Sequence, residues 1–329
     1  MSDDRPRIGI SACLLGQPVR FDAGHKRDTF LTETFGPHVE WVSVCPEVEA
    51  GFGTPRESMR LVLTEAQVRE RGERFDTSKI AVVLNKQRTD VTERLASYSS
   101  RKAAQLVHAD LSGYVLKKDS PSCGMDRVKV YTPSGLAERA GRGLFAEALM
   151  AQLPDLPVEE EGRLSDPRLR ENFVERVFAY RRLRGLFAAR WTVGDVVRFH
   201  TAHKLTLMAH SPQAYRQLGQ LVAAAKSHPR TEFAIAYQSR FMKALATIAT
   251  PKRHANVLQH MLGYFSDAID ADARAELLAV IDEHRLGFVP LIVPMTLIRH
   301  YVRRLNVAYL TGQTYLEPHP RELSLRNHV

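Results

Sequence analysis

The apolar pattern of the chain changes character near Ser165, and that break constrains the fold more than any single motif. Upstream of it, short apolar runs alternate with helical stretches. RIGISACLLG (7–16), VEWVSVCPE (39–47), RLVL (60–63), KIAVVLN (79–85) and GYVLKKDS (113–120) read as strands, and residues 87–108 and 143–152 as helices. Such alternation predicts a mostly parallel sheet covered by helices on both faces, a three-layer α/β domain of the Rossmann or flavodoxin-like kind. Downstream the pattern becomes one of long amphipathic helices, expected over 167–188, 194–209, 212–226, 229–249, 251–269, 271–284 and 294–308. The second half is therefore expected to be all-α. The acidic, proline-containing stretch LPDLPVEEEGRLSDP (153–167) reads as the linker, giving domains 1–165 and 166–329.

Residue usage follows the same break. All three cysteines, Cys13, Cys45 and Cys123, precede it, whereas 10 of the 13 histidines follow position 157. Through residue 157 there are 22 Lys and Arg against 21 Asp and Glu; beyond it, 24 against 16 carry most of the net charge of +9. No apolar run approaches the ~20 residues of a membrane helix, and the opening MSDDRPR lacks the apolar core of a signal peptide. These features predict a soluble, cytoplasmic protein whose sparse cysteines act as thiols or thiolates instead of disulfides.

Each cysteine sits where an apolar strand gives way to Gly, Pro and Ser: SACLLG around Cys13, CPEVEAGFG after Cys45, SPSCG around Cys123. In a parallel α/β sheet such junctions lie at the carboxyl edge of the strands, where ligands bind. Three thiols could converge there, although a lone cysteine is as often a small buried apolar residue. Local C-x2-C pairs, the usual zinc signature, are absent, and His25 is the plausible fourth ligand in this half. Thiolates select zinc, copper(I) or iron–sulfur clusters, and three cysteines without a fourth leave one iron of a cuboidal cluster open.

SACLLGQPVRFDAGHKRD (11–28), CPEVEAGFGTPRE (45–57) and KKDSPSCG (117–124) resemble the conserved blocks of domain of unknown function 523, the family that includes the thiouracil desulfidases. FHTAHKLTLMAHSPQAYRQLG (199–219) and HANVLQHMLGYF (254–265) resemble domain of unknown function 1722, often fused behind it. The resemblance implies a 4Fe-4S cluster held by Cys13, Cys45 and Cys123, with one iron free to bind a thiocarbonyl sulfur that water then replaces, turning 2-thiouracil into uracil and hydrogen sulfide. It also implies catalytic or substrate-contacting roles for Glu47 and Ser120. Ser122 and Lys118 are candidate substrate-binding residues; Lys117, Arg56, His25 and Lys26 could offset cluster charge or contact substrate, against surface charge as the default.

Other chemistries have weaker support. No G-x-x-x-x-G-K-[ST] phosphate loop is present for ATP-dependent thiolation, and no G-x-G-x-x-G follows the first strand. A regulator in which the cluster senses without catalysis is the non-enzyme alternative. His200, His203 and His210, joined by His254, would make a metal site in the helical half; hydrogen-bonded or polar-face histidines, with His260, are the plainer reading. TPKRH (250–254), YRRLRG (180–185) and YVRRL (301–305) interleave basic and aromatic residues, so this half is a candidate RNA partner, and thiolated nucleotides or transfer RNA are alternative substrates.

Overall fold

The computed structural model describes residues 5–63, 80–132, 135–188 and 190–328. Lys79, which opens the fourth expected strand, and Met1–Asp4 of the N-terminal stretch lie outside them. Two compact units divide the chain, Met1–Ser165 and Asp166–Val329.

The first unit is a parallel-dominated α/β fold. Strands β1 (Arg7–Ser11), β2 (Glu40–Val44), β5 (Leu111–Leu116) and β8 (Val158–Glu160) form a wholly parallel sheet in the order β2-β1-β5-β8. The order reverses beside β1, so the crevice at its carboxyl end is the topological switch point where open α/β sheets bind ligands. Burial of all six residues of β5 matches a central parallel strand. Helices α1 (Thr92–Val107) and α2 (Leu144–Gln152) pack on each other, and Tyr114 of β5 contacts Phe145 of α2 at 5.7 Å between ring centroids.

RLVL and KIAVVLN do form strands, but in a second, mixed sheet. There β3 (Met59–Leu63) pairs antiparallel with β4 (Ile80–Leu84) and parallel with β6 (Val128–Tyr131), which pairs antiparallel with β7 (Ala137–Gly141). The expected linker also contains structure. Val158, Glu159 and Glu160 are buried in β8, because Glu159 pairs with Arg163 at 2.6 Å and Glu160 accepts the Met125 amide at 2.7 Å. Buried carboxylates with partners are tolerated; their acidic sequence disguised a short edge strand.

The second unit is helical: α3 (Pro167–Ala188), α4 (Val193–His210), α5 (Pro212–Ala223), α6 (Arg230–Ala246), α7 (Pro251–Leu262), α8 (Ala271–Leu286), α9 (Ile292–Arg304) and the short α10 (Ala308–Thr311). Helices end earlier than expected after Ala223 and Leu262, where the chain passes into 3-10 turns at Ala225–Ser227 and Ser266–Ala268. Starts are set by caps: Thr192 and Asp195 form a capping box, and the Ser211 hydroxyl accepts the Ala214 amide with Pro212 as first helical residue. Among the described residues no helix is long and apolar enough to cross a membrane.

A buried ionic network crosses this unit. The Arg326 guanidinium donates to Glu171 at 3.1 Å and to the Tyr315 carbonyl at 2.7 Å, and lies 3.8 Å from Glu175, whose other oxygen is 3.5 Å from His210. Burial pushes the Glu171 carboxyl up to about 7 despite Arg326. Burial acts the same way on Glu175, but His210 and Arg326 outweigh it and hold that carboxyl well below the usual range.

Two outcomes follow from this packing. A Cβ on Gly9 would lie 2.1 Å from the Tyr114 ring in the paired strand. Gly9→Ala should therefore destabilise the first unit by roughly 1–3 kcal/mol, seen as a lower Tm of the full chain. Arg326→Met leaves two buried carboxylates facing each other and should cost about 3–5 kcal/mol. Because Glu171 binds its proton more tightly when folded, that loss should be larger at pH 8 than at pH 6 in parallel melts.

Candidate active site

Three strand ends and the turns after them build one cavity of about 270 Å3, lined by Cys13, Cys45 and Cys123 together with Glu47, Ser120 and Ser122. Cys13 lies in a 3-10 turn, Ala12–Leu15, that begins as β1 ends, and its carbonyl accepts the Lys26 amide at 2.9 Å. Cys45 is the first residue after β2; its amide donates to Glu49, which is held by Tyr98 at 2.6 Å and Lys102 at 2.8 Å.

Cys123 sits in the Ser120–Gly124 turn that follows β5. The Ser120 hydroxyl accepts the amides of Ser122 and Cys123 at 3.2 and 3.1 Å. The start of α2 caps this turn: Leu144 and Phe145 donate their amides to the carbonyls of Pro121 and Ser122. A Cβ on Gly143 would fall 2.4 Å from the Ser122 carbonyl oxygen, so glycine is needed for the helix to approach.

Glu47 is tied at both oxygens. Its Oε2 accepts Nε and Nη2 of Arg56 at 2.8 and 2.6 Å, and its Oε1 accepts the Ser122 hydroxyl at 2.6 Å, with Ser120 Oγ at 3.4 Å. The remaining Arg56 nitrogen donates to the carbonyls of Val19 and Gly53 at 2.9 and 3.0 Å. The side chains of Arg56 and Glu47 are only 6% and 14% exposed, which makes this a charge-assisted, nearly dry ion pair.

The three cysteines are free thiols. Burial pushes Cys13 up to about 11, opposed chiefly by Lys117; burial also raises Cys45, against the Val48 amide, and Cys123, against the Ser11 hydroxyl. Thiols so desolvated ionise readily only when a cationic centre is supplied, as a metal does. Among the described residues no three of His, Cys, Asp and Glu group as they would around a single ion. The donor set, three soft sulfurs lining one cavity, fits an iron–sulfur group.

The remaining candidates are placed as follows. Lys118 reaches the rim, its aliphatic chain against Gly162, while Lys117 pairs with Glu161 at 2.5 Å. His25 and Lys26 are exposed and do not line the cavity; His25 instead accepts the Arg27 amide. Glu161, Ser11 and the role of Arg56 as a clamp escaped the sequence reading, since each follows from a tertiary contact with no local pattern.

In the helical unit, His200 meets the Tyr237 hydroxyl, His203 donates to the Phe199 carbonyl, His210 to the Thr247 carbonyl, and His254 meets Tyr315. His260 is exposed. The expected basic clusters are partly consumed as well: Arg182 bonds His203 and the Pro318 carbonyl, and Arg253 the His210 carbonyl.

A family model described as 2-thiouracil desulfurase matches residues 8–161, and one described as a protein of unknown function, DUF1722, matches residues 204–320. The uncharacterized protein YbgA of Escherichia coli (strain K12) is 36% identical over 161 residues, 49% of this chain and 95% of YbgA. The uncharacterized protein YbbK of Bacillus subtilis (strain 168) is 29% identical over 142 residues, 43% of this chain and 88% of YbbK. The solved structure of the 4Fe-4S-dependent thiouracil desulfidase TudS is 28% identical, covering 52% of this chain and 100% of that one at a TM-score of 0.37. The chain thus joins a region that matches the 2-thiouracil desulfurase family, residues 8–161, to a DUF1722 region, residues 204–320.

Proposed function

We propose that the first unit is a desulfidase that converts the thiocarbonyl of 2-thiouracil-like pyrimidines to a carbonyl, with water consumed and hydrogen sulfide released. The observation that carries this reading is the meeting of three free thiols with the Glu47, Ser122 and Ser120 chain on one cavity. Cys13, Cys45 and Cys123 would hold a 4Fe-4S group, which when bound supplies a soft Lewis acid at the iron lacking a protein ligand.

The chain's own residues then have distinct tasks. Arg56 covers Oε2 of Glu47, so Oε1 is the oxygen that exchanges a proton. Glu47 takes one proton at Oε1 from the water attacking the thiocarbonyl carbon; the new C–O bond forms, the C–S bond breaks as that proton passes to the departing sulfur, and the second water proton leaves the new hydroxyl as the carbonyl forms, completing hydrogen sulfide. No electrons are exchanged with an external donor or acceptor. Ser120 and Ser122 hold the pyrimidine edge, their hydroxyls being able to donate or accept. Lys117 and Lys118 place positive charge near the thiolates, and Lys117 already acts on Cys13.

Anaerobic reconstitution with iron and sulfide should yield a chain that releases one sulfide per uracil formed from 2-thiouracil. Cys13→Ala should lose iron and turnover together, whereas iron loading without sulfide release in the unaltered chain would overturn the desulfidase reading. Glu47→Gln should keep its iron and lower kcat by roughly 10²–10⁴-fold. Full activity in that variant would remove Glu47 from the reaction.

A further inference from the structure

Phe21 departs from the usual placement of its residue type. Phe35 and Phe145 in the same unit are fully buried, but Phe21 is 41% exposed and lines the cavity that holds the three thiols. A single exposed apolar side chain means little in itself. This one forms part of a binding-site wall, and the backbone holds it there.

The loop around it is stiff. Arg20 donates its amide to the Gly24 carbonyl at 3.2 Å, Ala23 to the Arg20 carbonyl at 3.0 Å, and Gly24 to the Asp22 carboxylate at 3.0 Å. The Phe21 carbonyl accepts the Arg56 amide at 2.9 Å. Since the Arg56 side chain also grips Glu47 and the Val19 carbonyl, one residue ties the Phe21 backbone to the carboxylate. The Arg20 guanidinium carbon lies 5.4 Å from the ring centroid, within cation–π range.

We propose that Phe21 is the stacking platform for the substrate ring, making the site selective for planar aromatic thiocarbonyls over saturated ones. The proposal rests on the desulfidase reading above. A pyrimidine offers two π-faces, and an aromatic side chain beside one of them contributes through the face while leaving the ring edge to Ser120 and Ser122.

The test compares the iron-loaded full chain with Phe21→Ala, Phe21→Tyr and Phe21→Leu. Turnover of 2-thiouracil and of its 5,6-dihydro analogue, whose ring is not planar, is followed beside calorimetric titration with uracil. Phe21→Ala should raise the KM for 2-thiouracil and the Kd for uracil about tenfold, with kcat within about twofold of the unaltered chain and the preference over the dihydro compound lost. Phe21→Tyr should restore both constants.

Unchanged KM and Kd in Phe21→Ala, a fall in kcat at constant KM, or a Phe21→Leu variant equal to the original would each overturn stacking. If the unaltered chain turns over neither thiocarbonyl, the desulfidase reading fails. The uracil titration then still decides the role of Phe21.

Discussion

The guanidinium of Arg56 is the interaction on which the candidate site depends. A cation this buried must be fully paired, and its partners come from two segments: Glu47 and Gly53 from the two ends of the helical turn after Cys45, and Val19 from the irregular backbone after the first cysteine turn. The planar fork of arginine donates to these partners in fixed directions, which a lysine could not do. Loops that carry function usually have a rigid scaffold beneath them. In this protein the scaffold also reaches above the sheet edge, through one side chain.

Beneath it, topology performs the assembly. The order β2-β1-β5-β8 brings residues 13, 45 and 123 to one edge because each follows a strand of the same parallel sheet. The second sheet contributes Met59 to the cavity wall and leaves the thiols to the first. The helical unit is held by other means, an apolar core around Val257, Met261 and Ile298, capped helix starts, and a buried ionic network.

Much of this was legible from residues. The change of period near Ser165 and the existence of the three strands before the cysteine junctions follow from local apolar patterning, though the strands end earlier than expected, at Ser11, Val44 and Leu116; the helix start at Ser211 and Pro212 follows from capping chemistry. What escaped depended on contacts distant in sequence. The split of RLVL and KIAVVLN into a mixed sheet is a matter of pairing, which periodicity does not encode. β6 is only four residues long, β7 carries two charges in five residues, and β8 is hidden by carboxylates that find partners in Arg163 and the Met125 amide. In the site, Glu47 and Ser120 stood out only through the family resemblance, and the unequal pairing of the two Glu47 oxygens, Oε2 with Arg56 and Oε1 with Ser122, exists only once Arg56 is folded against it. The histidines of the helical half looked like a possible constellation; His200, His203, His210 and His254 each have their own hydroxyl or carbonyl partner, and His210 is further engaged by the Glu175 carboxylate.

The acidic stretch around β8 has a consequence for how the two modules can be joined. The last of its three consecutive glutamates, Glu161, receives Lys117 and the Lys118 amide, and Lys117 lines the cavity with Cys13. Residues that resemble a tether by composition thus complete both the sheet and the electrostatic setting of a cysteine more than a hundred positions upstream. The interchangeable seam between modules is confined to the few residues between Glu161 and the start of α3. A splice made earlier, at the prolines where a linker would ordinarily be drawn, would sever the edge of one module while appearing to cut between two.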